Sequence, residues 1–262
     1  MRLLTADDIP AACALSDAAG WNQTPDDWRR MIEIEPLGCF GIVQDDQLVA
    51  TSTLLTYGRE VAWIGMVLTH ADYQRRGYAR RLVTAALELA CVREIRCVKL
   101  DATRQGAPLY SSLGFEDEQP ISRWRREAAP IPSAEPVPTG MIPRGEDRNA
   151  FGVDRWKYLA TLGEAAVIGN AYACHRPGSK AHYFGPCVAR DTASVHRLVS
   201  ATLACDPEAT WYWDLLPANP AAVAVATDFG FEPIRHLTRM VRGEPIRGND
   251  SMVFAIAGFE AG

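Results

Sequence analysis

The sequence predicts an α/β protein of two similar units in tandem, each a mixed β-sheet flanked by helices. Three observations carry that expectation. Apolar segments of strand character alternate with segments of helical periodicity along the chain, the order that produces mixed sheets. A stretch at 127–143 holds Pro130, Pro132, Pro136, Pro138 and Pro143 without any apolar period, and reads as an extended connector between two lengths of ordinary domain size, 1–126 and 144–262. Finally, three short matches recur in one order: Trp63-Ile64-Gly65 with Tyr183-Phe184-Gly185, Leu100-Asp101 with Trp213-Asp214, and Leu113-Gly114-Phe115 with Phe229-Gly230-Phe231. Their nearly constant offsets of 120, 113 and 116 residues point to a duplicated unit.

Taken in order, Asp7 and Asp8 cap an Ala-rich helix from Ile9 to near Gly20, and Thr24-Pro25-Asp26 starts a second helix running to Glu35. Strands at 39–43 and 48–57 flank Gln44-Asp45-Asp46-Gln47 as a hairpin. Residues 61–68 read as a buried strand. A helix follows from about Gly77, with Ala79, Leu82, Val83, Ala86 and Ala90 on one face and Arg80, Thr84 and Glu88 on the other. Residues 98–100 are a strand, 108–112 a short helix stopped by Gly114, and 115–125 a final hairpin. In the second unit, Asp154 in Phe151-Gly152-Val153-Asp154-Arg155 is expected to cap the first long helix, and a further helix covers 192–203.

Composition narrows the function. With 262 residues, 48% apolar and 23% charged, the chain suits a soluble globular protein with a large core, which excludes disorder and disulfide-dense miniatures. Lys plus Arg is 27 against Asp plus Glu 32, a net charge of −5, so no nucleic-acid partner is expected. The seven cysteines, at 13, 39, 91, 97, 174, 187 and 205, form no Cys-x-x-Cys and read as buried thiols of a reducing compartment. The start lacks a signal-peptide core, and no apolar run reaches the roughly 18 residues of a membrane span, so a cytoplasmic protein without a membrane partner is expected. His175, His182, His196 and His236 have no ligand spacing, so no metal is expected. Nothing in the pattern specifies an oligomeric state.

The chemistry concentrates where the 61–68 strand gives way to the helix at Gly77. A helix start offers unpaired N–H groups and the positive end of the macrodipole. Gly77 lacks a Cβ, Ala79 is small, and Arg75, Arg76, Arg80 and Arg81 surround the point with cations. Such a nest suits a pyrophosphate. It is not a P-loop, since no Gly-Lys-Ser/Thr follows, nor a dinucleotide fingerprint, since the three spaced glycines are missing.

Gln74-Arg75-Arg76-Gly77-Tyr78-Ala79 resembles the Gln/Arg-x-x-Gly-x-Gly/Ala signature of the GCN5-related N-acetyltransferase (GNAT) superfamily. Leu109-Tyr110-Ser111-Ser112-Leu113-Gly114-Phe115 resembles that family's Tyr-x-x-Leu-Gly-Phe ending. The whole chain is similar to a two-domain form whose second GNAT domain, 144–262, is degenerate. The resemblance implies splayed sheets, with acetyl-CoA as acyl donor and direct transfer to a primary amine of a small-molecule acceptor. It implies that Gln74, Arg75, Arg76, Gly77, Tyr78, Ala79 and Arg80 hold the coenzyme A pyrophosphate. Val67, Leu68 and Thr69 would pair with the pantetheine arm as an added strand, and a backbone N–H there would polarise the acetyl carbonyl. Tyr110 matches the family's general acid. Two alternatives follow from the same likeness: transfer of a longer acyl group, or a non-enzymatic coenzyme A-binding sensor, for which the Tyr110 phenol would be unnecessary.

The sequence also departs from the family. Many relatives carry a Glu on the strand before the loop, but 63–68 holds no acid, leaving a water chain, a group from the second unit, or Asp101 as the base. In the second unit the equivalent loop, Ala189-Arg190-Asp191-Thr192-Ala193-Ser194, has no glycine and sets an acid where a phosphate would sit. That unit is expected not to bind coenzyme A and instead to help build the acceptor pocket. Trp21, Trp28, Asp154 and Asp214 are the acceptor-side candidates.

Overall fold

The elements of the first half follow the expected order. They are β1 (Arg2–Leu3), α1 (Ile9–Ala18), α2 (Pro25–Ile34), β2 (Cys39–Gln44), β3 (Gln47–Tyr57), β4 (Val61–Thr69), α3 (Tyr78–Val92), β5 (Cys97–Ala102), α4 (Ala107–Ser111) and β6 (Glu116–Arg126). The second half contains β7 (Thr139–Gly140), α5 (Arg144–Phe151), α6 (Trp156–Leu159), β8 (Ala165–Ile168), β9 (Ala171–Arg176), β10 (His182–Val188), α7 (Thr192–Ala204), β11 (Trp211–Leu215), α8 (Pro220–Asp228), β12 (Glu232–Gly243) and β13 (Val253–Ala255). This computed structural model describes residues 1–130 and 135–262; the centre of the proline-rich connector lies outside the described residues.

Local signals explain most element ends. The Thr24 hydroxyl accepts from the Asp27 N–H while the Asp27 carboxylate accepts from the Thr24 N–H at 2.9 Å, a reciprocal cap with Pro25 in the first turn. Asp45 and Asp46 take positive φ (48° and 61°), the geometry that turns a tight hairpin with the right twist. Two expectations fail. Residues 116–126 form one long strand rather than a hairpin, because the partner strand comes from the other half of the chain. Asp154 does not open a long helix. That helix is α5, which precedes it and ends at the left-handed Gly152; Asp154 instead accepts from the Trp156 N–H at 2.9 Å, at the single turn of α6, and from the Arg144 guanidinium.

The 13 strands of the described residues join one sheet, in the order β1-β2-β3-β4-β5-β12-β6-β11-β10-β9-β8-β7, with β13 attached to β10. The two halves have exchanged their last strands. β12, from the second half, lies between β5 and β6, while β6, from the first half, lies between β12 and β11. The connector therefore divides the chain in sequence but not in the sheet.

Each exchange is fastened by an ion pair in cross-strand register. Arg239 on β12 faces Asp101 on β5, with Nε and Nη2 donating to the two carboxylate oxygens at 2.9 and 3.1 Å. Arg123 on β6 faces Asp214 on β11 in the same bidentate way, at 2.7 Å for both bonds. Both aspartate side chains have 0% exposure. Buried pairs of this geometry offset their desolvation only when both partners are present. The core confirms the continuity: Trp28, Tyr57 and Trp63 from the first half pack in one cluster with Tyr158, Tyr172 and Ile256 from the second.

The sheet opens where β4 and β5 part. Parallel pairing covers only Val61–Trp63 with Cys97–Lys99; beyond it, β4 bulges against β3 near Met66, whose φ is 48°. The Thr51 hydroxyl donates to the Met66 carbonyl at 2.9 Å and holds the bend. From Ile64 onward the β5-facing edge of β4 is unpaired and borders a cleft.

Replacing Arg239 with Leu should strand the Asp101 carboxylate and cost about 3–5 kcal/mol in urea unfolding, whereas the Arg239→Leu/Asp101→Leu double variant should regain most of that loss. Additive losses in the two single variants would show that the pair does not fasten the exchange.

Candidate active site

The cleft has a volume of about 700 Å³ and is walled by both halves. Its first end forms where β4 runs out and α3 begins. Gly77 is the residue before α3, and its φ of 80° suits glycine. A Cβ built there meets nothing within 4 Å, so the space before the helix N-terminus is open. Gln74, Arg75, Gly77, Tyr78, Ala79 and Arg80 line this end, and Arg80 also donates to the Ser112 hydroxyl at 2.7 Å, tying α3 to the segment after α4. Arg76 departs from the expectation: its guanidinium donates to the Asp72 carbonyl at 2.9 Å and stacks 4.9 Å from the Tyr73 ring, so it turns away from the cleft.

Val67, Leu68 and Thr69 line the middle with their open edge, opposite Tyr110 on α4. Tyr110 is 8% exposed, packs edge-on against Phe115 with ring centroids 6.1 Å apart, and has no hydrogen-bond partner for its hydroxyl among the described residues. Burial pushes its phenol up to about 12, so it keeps its proton at neutral pH.

The second end is built from segments distant in sequence: Trp21 and Gln23 between α1 and α2, Arg123 on β6, Arg235 and Leu237 on β12, and Phe259 and Glu260 in the C-terminal tail. The tail reaches the sheet because Gly65 lacks a side chain; a Cβ there would come within 2.7 Å of the Glu260 Cα. Glu260 Oε1 accepts from Arg176 Nη2 at 2.8 Å, while Oε2 has only the Gln23 amide at 3.4 Å. Burial raises its carboxyl above the usual range, an effect that Arg176 opposes. The sequence reading missed Glu260, although it is the one charged residue in the tail 252–262.

Besides Arg76, four expected site residues sit elsewhere or are otherwise engaged. Asp101 borders the cleft, but Arg239 donates to both of its oxygens and holds the carboxylate against β12. Asp214 is engaged by Arg123 in the same manner and does not line the cleft. Trp28 is 0% exposed and donates to the Ser16 hydroxyl at 3.1 Å, a core position. Asp154 caps α6 and pairs with Arg144, outside the cleft. Of the proposed acceptor-side set, only Trp21 lines the cleft.

Two family profiles match this chain: the Acetyltransferase (GNAT) family over residues 10–115, and the Acetyltransferase (GNAT) domain over residues 145–255. The chain belongs to the GNAT family. It is a tandem GNAT protein and an acyltransferase, and GNAT domains use acetyl-CoA as a substrate. An uncharacterized N-acetyltransferase of Bacillus subtilis, YitH, is 31% identical over 77 residues; the match covers 29% of this chain and spans only 26% of that protein. Among solved structures, a candidate acetyltransferase from Pyrococcus horikoshii superposes with a TM-score of 0.89 at 24% identity, covering 100% of this chain and 95% of that one. A tandem GNAT protein from the clavulanic acid biosynthesis pathway gives 0.66 at 16% identity, over 92% of this chain and 97% of that one. At these identities the structural likenesses establish the fold.

The two GNAT halves differ at the feature that matters for the donor. β10 and β11 also part after three parallel pairs, His182–Phe184 with Trp211–Trp213. There, however, β13 pairs with Cys187 and Val188, the counterparts of Val67 and Leu68, and the Ile256 N–H donates to the Asp214 carbonyl at 3.0 Å. The start of α7 is likewise filled, since Asp191 accepts from the Ser194 N–H at 2.7 Å. Among the described residues no three His, Cys, Asp or Glu side chains gather as a metal site, and no helix is long and apolar enough to cross a membrane. Calorimetric titration with coenzyme A should therefore saturate at one equivalent per chain; two equivalents would mean that β13 and Asp191 do not close the second half.

Proposed function

We propose that the protein transfers the acetyl group of acetyl-CoA directly to the primary amine of a small molecule bound between the two halves. One observation supports this reading above others. The open β4 edge and the Gly77 nest share a cleft with a protonated phenol, Tyr110, and with a carboxylate, Glu260, one of whose oxygens is nearly free.

The chain's own groups divide the work. The N–H groups at the start of α3, with Arg75 and Arg80, would hold the pyrophosphate, and the unpaired groups of Val67, Leu68 and Thr69 suit the amides of the pantetheine arm. The donor supplies an activated acetyl group and a thiolate leaving group. Glu260 Oε2 takes one proton from the acceptor's ammonium, freeing the lone pair for attack; its raised affinity for protons suits that transfer. A backbone N–H of the bulged β4 edge meets the carbonyl oxygen as negative charge develops there. Tyr110 gives its proton to the departing sulfur, and the amine's second proton, shed as the amide forms, restores the phenol. A sensor that only bound coenzyme A would need neither acid nor base, and here the cleft continues past Tyr110 to Trp21, Arg235 and Glu260.

Tyr110→Phe should lower kcat by roughly 10-fold or more while leaving coenzyme A affinity nearly unchanged, read by thiol release and calorimetry. Unchanged turnover would remove the phenol from the chemistry. Because the working form of Glu260 is deprotonated and burial raises its carboxyl, kcat/KM should fall as pH drops through a value above the ordinary glutamate range. Glu260→Gln should lower the rate and abolish that acid limb; a variant retaining the same limb would assign the proton acceptor elsewhere.

A further inference from the structure

The acceptor end holds a guanidinium with no ion-pair or hydrogen-bond partner among the described residues. The other ionic groups there are matched: Arg123 with Asp214, Arg239 with Asp101, and Arg176 with both Glu260 and Asp27. Arg235 is the exception. It is half-buried on β12, opposite Arg123 in the β12–β6 register, and has neither ion pair nor hydrogen bond among the described residues. Alternation along β12 puts Arg235, Leu237 and Arg239 on one face, the face on which Arg239 lies 4.4 Å over the Trp63 ring. Met240, of opposite parity, packs instead in the cluster under α3. Arg235 therefore enters the cleft from the side of Trp21, Phe259 and Glu260.

Holding a guanidinium beside another cation and partly out of water is unfavourable; burial, then Arg123, lowers its pKa, and Asp214, already held by Arg123, only partly opposes them. Its planar fork suits a carboxylate held by two parallel bonds. The same end carries the carboxylate that receives a proton in the reading above, on which this inference rests.

We infer that the acceptor is an amine bearing a carboxylate, an amino-acid-like molecule whose carboxylate is anchored by Arg235 while its ammonium faces Glu260. Such a zwitterion answers both charges at once. Trp21, Leu237 and Phe259 supply apolar wall for a modest side chain. Anchoring moves no proton; Arg235 binds and orients, and the transfer chemistry stays with Glu260 and Tyr110.

The test is thiol release from acetyl-CoA with matched series: alanine, phenylalanine and β-alanine, each against its amide and its decarboxylated amine. The amide and the amine bracket the basicity of the amino acid, so basicity alone cannot produce the preference. Amino acids should show kcat/KM values about 100-fold above both counterparts, the scale expected when a half-buried charge loses its partner. In Arg235→Leu that ratio should collapse towards one, with Arg235→Lys falling between because it keeps the charge and loses the fork. Coenzyme A calorimetry on each variant checks that the donor end is intact. Turnover of neutral amines at equal or higher kcat/KM, or an unchanged ratio in Arg235→Leu, overturns the anion subsite and leaves amine acetylation standing. Absence of thiol release with every member of all three series overturns the amine-acetylation reading, and this inference with it.

Discussion

Two buried arginine–aspartate pairs make one protein out of two units. Each joins an exchanged strand to the other unit's fifth strand, and each aspartate is shut off from solvent with both oxygens engaged. A charge so placed has no acceptable alternative partner, so the pairs specify register as well as contribute to stability. A shift by one residue would turn every side chain of β12 to the wrong face, burying Arg239 against the α3 cluster. The acceptor end of the cleft follows from that register. Arg123 holds Asp214 with its guanidinium 4.5 Å from the Phe259 ring, and Arg235 and Leu237 extend beyond Arg239 on the same face.

How much was legible in the sequence depends on the distance over which each feature is assembled. The donor end is local: strand, loop, Gly77 and helix follow one another, and Tyr110 lies only a strand and a turn further on. Capping, periodicity and motif spacing report such features well. The acceptor end is joined across the chain, with Gln23 reaching Glu260 over 237 positions and Arg239 reaching Asp101 over 138. An aspartate at a strand end looks like a base until the arginine that holds it is known, which is why Asp101 and Asp214 both invited functional readings. Trp21 and Trp28 separate for a simpler reason. The first lies in the α1–α2 connection, while the second shares the buried face of α2 with Met31 and Ile32. The supposed hairpin at 115–125 failed because alternation identifies a strand's faces but not its neighbour.

The halves also show two solutions to one problem. When parallel strands diverge, the edge between them carries backbone donors and acceptors that need partners. In the second half the chain supplies its own strand, β13, and an aspartate for the helix start. In the first half both are left open, and the cleft lies there. The Asp191 carboxylate and the two main-chain bonding partners of Cys187 and Val188 are thus a protein-made outline of what a donor would satisfy at Gly77 and Val67.

The strand exchange has a consequence for synthesis. β5 ends at residue 102, but its neighbour β12 spans Glu232–Gly243, so the edge of the first unit stays bare until those residues have emerged from the ribosome. Folding domain by domain as the chain grows, the usual economy of multidomain proteins, is closed to this one. Closure also waits on contacts of high sequence separation, which form slowly. During that interval β5 and β6 lack their native neighbour, and an unpaired strand edge is a template for pairing with another chain.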